Sequence, residues 1–199
     1  MWLNEMNYNP AGTGIKPGIR GTLSHRQFFD NSKFSFQGTN FLFDYYDSRF
    51  LNGGIGLSAS SVDKGRSLFI NDKIGLQYGK RIVLSSNSKI QIGAKAEYIY
   101  KKTDKLEYLY VNDYQRILPY ADTITLLNKS QKYFDFSAGA IFYFAINKSY
   151  TKTIATNTIG LAFHHLTTPK ENWIESENHE LAMKTTLHWT SAIKIKEIS

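Results

Sequence analysis

Residues 89–102 read KIQIGAKAEYIYKK, and what faces their apolar side decides the fold. Lys89, Gln91, Lys95 and Glu97 alternate with Ile90, Ile92, Ala94, Ala96 and Tyr98. A period of two is the mark of a β-strand with two different faces. In a soluble protein the apolar face would meet a second layer rich in bulky aliphatics. Here its middle is small and its end is aromatic, so lipid becomes the rival to a protein core.

The same period recurs along the chain. It is present in 22–29 (TLSHRQFF), 34–46 (FSFQGTNFLFDYY), 53–60 (GGIGLSAS), 74–84 (IGLQYGKRIVL), 133–144 (YFDFSAGAIFYF), 157–166 (NTIGLAFHHL) and 181–196. With 89–102 this makes about eight strands, each near the nine to eleven residues that cross a tilted bilayer span. Helical periodicity is hard to find. The expected fold is all-β, an antiparallel up-and-down transmembrane β-barrel occupying 1–199 as one domain, with 1–20 as a periplasmic, plug-like lead-in.

Composition agrees with that class. Apolar residues are 42% and charged residues 21%, so a helical membrane protein is excluded, because no window approaches eighteen consecutive apolar residues. A barrel is not excluded, since its strands average out to polar. There is no cysteine, which removes disulfides, thiol catalysis and Cys-ligated metals. The net charge of +7 comes from basic residues scattered over strands and turns. That distribution suits a solvated lumen and gives no nucleic-acid stripe. The opening MWLNEMNYNP has neither the basic nor the apolar region of an export signal.

Two patterns favour lipid. Phe134 and Phe136 lie at one end of their strand and Phe142 and Phe144 at the other, with alanines between; Tyr98 and Tyr100 close the quoted stretch. Aromatic girdles around an aliphatic band produce this order, whereas a sandwich core concentrates bulk in the middle. Connections also alternate. Those at 85–88 and 146–154 are short, and those at 61–72, 102–131 and 166–179 are long, as expected of periplasmic turns and external loops. Ile92, Ala94, Ala138 and Leu161 should then face lipid, and Gln91, Lys95, Glu97 and Asp135 the lumen.

MNYNPAGTG (6–14), HRQFF (25–29), GGIGLSASSVDKG (53–65), YFDFSAGAIFY (133–143) and GLAFHHLTTPKENW (160–173) occur in an order and spacing that resembles the PorP/SprF family of type IX secretion system membrane proteins. The chain departs from the family pattern at Phe28, where a tryptophan is usual. The resemblance implies an outer-membrane barrel of Bacteroidota, linked to gliding motility and to secretion or surface anchoring of cargo with a C-terminal sorting domain. Its implied partners are that cargo, other type IX components and outer-membrane lipid. Eight strands enclose too narrow a core for so many charged inward residues. The sheet is therefore expected to be part of a larger barrel, with its first and last strands unpaired.

The candidate site residues divide into two sets. Tyr108, Tyr110, Tyr114, Tyr120 and Trp173, in the long loops, are expected to anchor a partner. Arg26, Arg81, Lys95, Glu97, Asp135 and His164 are expected to line the lumen, with Arg26 joined to Glu97 or Asp135 in a ladder or, with Gln27, clamping a carboxylate. His164 and His165, adjacent on a strand, should point to opposite faces and so cannot share a metal; no catalytic, metal or cofactor site is expected. The glycines of 53–60 lack the following helix of a phosphate loop and read as relief of crowding on a curved strand. Alternatives to the secretion reading are a general diffusion porin and a soluble β-sandwich or lipocalin-like binding protein.

Overall fold

The period-two stretches become strands, each hydrogen-bonded to the next along the chain. The computed structural model describes residues 4–28, 36–47, 52–64, 69–103, 129–149, 152–171 and 179–194. Seven strands run in sequence: β1 (Gly18–Phe28), β2 (Phe36–Asp47), β3 (Gly53–Lys64), β4 (Phe69–Ser85), β5 (Ser88–Thr103), β6 (Lys129–Ser149) and β7 (Lys152–His164). A two-residue ribbon of β8 (Lys170–Glu171) and β9 (His179–Glu180) follows, and β10 (Lys184–Ile193) completes the main sheet. That sheet has eight antiparallel strands in the order β1-β2-β3-β4-β5-β6-β7-β10. It curls into a half-barrel. Among the described residues β1 pairs only with β2, and β10 only with β7, so the two edges do not meet.

Alternation sorts the side chains onto a convex and a concave face. The convex face is largely apolar, and nothing among the described residues covers it. Leu23, Leu187 and Trp189 are each more than 70% exposed, and Ile55, Ile74, Leu76, Ile92, Phe136 and Leu161 continue the surface across the strands between. Soluble monomers rarely expose a contiguous apolar surface on this scale. Tyr98 packs on Phe134 at 5.3 Å and Phe142 on Phe144 at 5.4 Å. Ten residues of β6 separate Phe134 from Phe144, about 33 Å along the strand. A tilt near 40° reduces that to roughly 25 Å, the height of a barrel's apolar band. Ala94 pairs with Ala138 close to the middle of this band.

The strands run further than their apolar portions. Pairing of β3 with β4 continues to Lys64↔Phe69, so the connection expected at 61–72 shrinks to 65–68. The loop expected at 102–131 loses both ends, because β5 reaches Thr103 and β6 begins at Lys129. The stretch 166–179 contains β8 and the first residue of β9. Hydrophobic alternation marks only the part of a strand that needs an apolar face, whereas the backbone ladder continues into polar residues beyond it. Ser86 and Asn87 alone separate β4 from β5.

Candidate functional site

The concave face is built around a row of glycines. Gly54 pairs with Gly79, Gly79 with Gly93, and Gly93 with Gly139, so four neighbouring strands lack side chains at one level. Ala162 on β7 extends the row. The N-terminal segment crosses the strands in this groove. A Cβ at Gly139 would strike Asn9, one at Gly93 would strike the backbone of Pro10 and Ala11, and one at Gly79 would lie 2.5 Å from the Thr13 carbonyl oxygen. At Gly54 it would lie 2.5 Å from Gly14 Cα. Relief of crowding is thus the role of these glycines, and the crowding comes from this segment as well as from strand curvature.

The segment is short, yet most of its backbone groups are partnered. Two turns of 3₁₀ helix, Glu5–Asn7 and Pro10–Gly12, are capped by Asn4 and Asn9. Asn9 is fully buried. Its Oδ1 accepts from Ala11 N at 2.9 Å, and its Nδ2 donates to the carbonyls of Ala140 and Leu161 at 3.2 and 3.3 Å. Asp44, also buried, accepts Gly14 N at 2.7 Å and both guanidinium contacts of Arg20 at 2.8 Å. Arg20 also reaches the Gly12 carbonyl at 3.1 Å. Arg81 donates to the carbonyls of Gly14 and Ile15 and lies 4.4 Å from the Tyr46 ring centre. Gln91 Nε2 donates to the Thr13 carbonyl at 2.6 Å.

Among the described residues a cavity lies on each side of the seated segment. On the side of the short turns, about 230 Å³ is lined by Glu5, Ile15, Lys16, Lys89, Gln91 and Tyr143 among others. Burial pushes the Glu5 carboxyl above its usual value, against the pull of Arg20 and Lys16, and Glu5 Oε2 has no hydrogen-bond partner. On the side of the long loops, about 220 Å³ lies between Lys73, Lys95, Lys184, Glu97, Asp135 and the two adjacent histidines. Lys95 and Glu97 pair at 2.5 Å. His165 Nδ1 donates to Asp135 Oδ2 at 2.6 Å. His164 Nε2 lies 3.1 Å from the Tyr8 carbonyl, to which only a ring N–H can donate. Its Nδ1 lies 3.2 Å from Ser137 Oγ. Burial, and then the charge of Glu5, push the Tyr8 phenol above its usual value, which keeps it a hydrogen-bond donor.

Arg81, Lys95, Glu97, Asp135 and His164 thus share the concave face; Arg26 has the strand parity of Arg20 on that face but stands at a distance from them. Arg26 covers the Phe28 ring at 4.5 Å, and three strands stand between β1 and Glu97, four between β1 and Asp135. The expected ladder does not form, and Gln27 alternates to the other face of β1. His165 also corrects the expectation from strand parity. With φ at 60°, it lies beyond the end of β7 and turns back to the cavity that His164 lines. Tyr108, Tyr110, Tyr114, Tyr120 and Trp173 lie outside the described residues. Sequence reasoning missed Arg20, Asp44 and the seat of the segment; the signal available was glycine on the polar side of four successive strands.

Glu171 on β8 meets both Lys101 and the Tyr133 hydroxyl, and Leu166 N donates to the Phe136 carbonyl at 3.0 Å. The stretch after β7 is thereby tied down over the long-loop ends of β5 and β6. Comparison with known proteins gives one family: the model described as type IX secretion system membrane protein PorP/SprF matches residues 1–198. No curated protein and no solved structure matches the chain.

Proposed function

The chain belongs to the PorP/SprF family of type IX secretion system membrane proteins, and from that premise we propose that it is a non-enzymatic outer-membrane component of that machinery. It assists secretion or surface anchoring of cargo that carries a C-terminal sorting domain, and it works with other components of the system. The observation that carries this reading is the division of labour between the two faces. The convex face offers lipid an apolar band with aromatic edges. The concave face is occupied by the chain's own N-terminal segment, held by Asp44, Arg81, Gln91 and Asn9. Charged concave groups are mostly spent on holding the fold, which supports a scaffold more than a catalyst.

Recognition then falls to the long-loop side, where 104–128 and 172–178 carry Tyr108, Tyr110, Tyr114, Tyr120 and Trp173. Aromatic side chains of this kind are frequent anchors in protein interfaces. Deletion of 106–128 should leave a folded barrel in the outer membrane while cargo is lost from the cell surface. Unchanged cargo retention after that deletion would move recognition to the lumen or the short turns. Planar-bilayer conductance separates the porin alternative: a closed component gives no steady channel, and an ion-selective one would favour the porin.

A further inference from the structure

We infer that the cavity on the long-loop side is a binding site for a small tetrahedral oxyanion of the phosphate class, held by Lys73 and Lys184 with hydroxyl and amide donors around them. Three lysines line it against two carboxylates. Both carboxylates are already engaged, Glu97 by Lys95 and Asp135 by His165. Lys73 and Lys184 make no ion pair or hydrogen bond among the described residues. Lys184 opens onto the cavity from the strand beside His164, its register partner. Lys73 lies partly buried between Ser60 on β3 and Ile99 on β5. Burial of the Lys73 ammonium beside carboxylates that are already engaged is costly, and a bound oxyanion would relieve that cost, while Lys184, exposed at the same cavity, would supply the second charge.

The lining favours phosphate over a planar carboxylate. Among the described residues this wall has no arginine fork to grip a carboxylate by two parallel bonds. Instead Ser58, Ser60, Ser137, Asn7, Asn40 and Tyr8 surround the lysines. These groups supply single donors from several directions, and lysine binds phosphate as a point charge. The volume of about 220 Å³ equals several waters at roughly 30 Å³ each, enough for a small ion with part of its hydration. The site needs only the observed geometry and does not depend on the role in secretion. A free phosphate and a phosphate-bearing headgroup share the chemistry that these donors recognise.

The test is calorimetric titration of the full chain, folded in detergent micelles, with inorganic phosphate, with glycerol 3-phosphate, and with chloride at equal ionic strength. Saturable phosphate binding is expected, with no comparable heat from chloride. Lys73→Gln should weaken it about tenfold or more, since a charged hydrogen bond is lost, and Lys184→Gln should weaken it as well. Lys80→Gln, on the convex face, should leave it unchanged. If Lys73→Gln does not fold, Lys184→Gln carries the test, together with a rise in the wild-type melting temperature by phosphate and not by chloride. Equal binding of the monoester supports the site and points to a headgroup as the source. Its rejection beside retained phosphate binding supports the site for a free ion. Absence of saturable binding, or affinity untouched by both lysine replacements, would overturn the proposal.

Discussion

Glu5 shows how much a single residue contributes to the seating of the N-terminal segment. Its carboxyl is raised by burial more than Arg20 and Lys16 lower it, and Lys89 lines the same cavity. A carboxyl whose folded value lies above its unfolded one binds more protons in the folded state, so its contribution is fully present below the unfolded value and is lost as pH rises through the folded one. The segment should therefore be cleaved faster by protease at about pH 8 than at about pH 5. Glu5→Gln should flatten that difference, and a pH dependence that survives the replacement would remove Glu5 as its cause. Gly93 gives the complementary case. Gly93→Ala puts a methyl group into the backbone of Pro10 and Ala11 and should cost about 1–3 kcal/mol in denaturant titration. Gly21→Ala, with nothing within 4 Å of its Cβ, should cost nothing comparable. Neither effect was legible in the sequence, where a glycine on a strand's polar side states that room is required but not what needs it. Only the register that aligns Gly54, Gly79, Gly93 and Gly139 turns four separate gaps into one groove.

At the scale of elements, strand identity and facing were legible and strand ends were not. Ile92, Ala94, Ala138 and Leu161 fall on the convex face, with Gln91, Lys95, Glu97 and Asp135 opposite, because period two fixes facing once a single residue is placed. His165 escaped that rule by leaving the strand, and a positive φ at a non-glycine residue has no period to reveal it. Ala94→Arg tests the facing directly. Near the middle of the apolar band it should cost about 2–4 kcal/mol in a lipid-based unfolding assay. Lumen placement alone makes Lys95→Gln harmless, yet the replacement would remove the ion-pair partner of Glu97 in a largely enclosed position. A measurable cost is expected there, and simultaneous Glu97→Gln should recover part of it. If Ala94→Arg proved no worse than the double replacement, the convex face would not be facing lipid.

At the scale of the molecule, the two open edges determine what can complete the structure. Strands alternate in direction across the sheet, so β1 and β10, first and eighth in order, run antiparallel to each other. Any strands inserted between them must be even in number if every pair is to stay antiparallel, whichever chain supplies them. Insertion is expected because, among the described residues, β1 and β10 each have a ladder partner on one side only. In hydrocarbon each unsatisfied backbone group costs several kcal/mol. The rival is a sheet that shuts on itself in the membrane, with β1 directly beside β10. The absence of native cysteine makes the choice measurable. Thr22→Cys combined with Thr186→Cys places one thiol on each edge, and a disulfide needs Cα atoms about 4.4–6.8 Å apart. In protein assembled in outer membrane, oxidation should give no bond within the chain, because additional strands keep the edges apart. Rapid intrachain oxidation would mean that eight strands close alone, and the charged concave face would then have to pack within a core barely wide enough for its side chains.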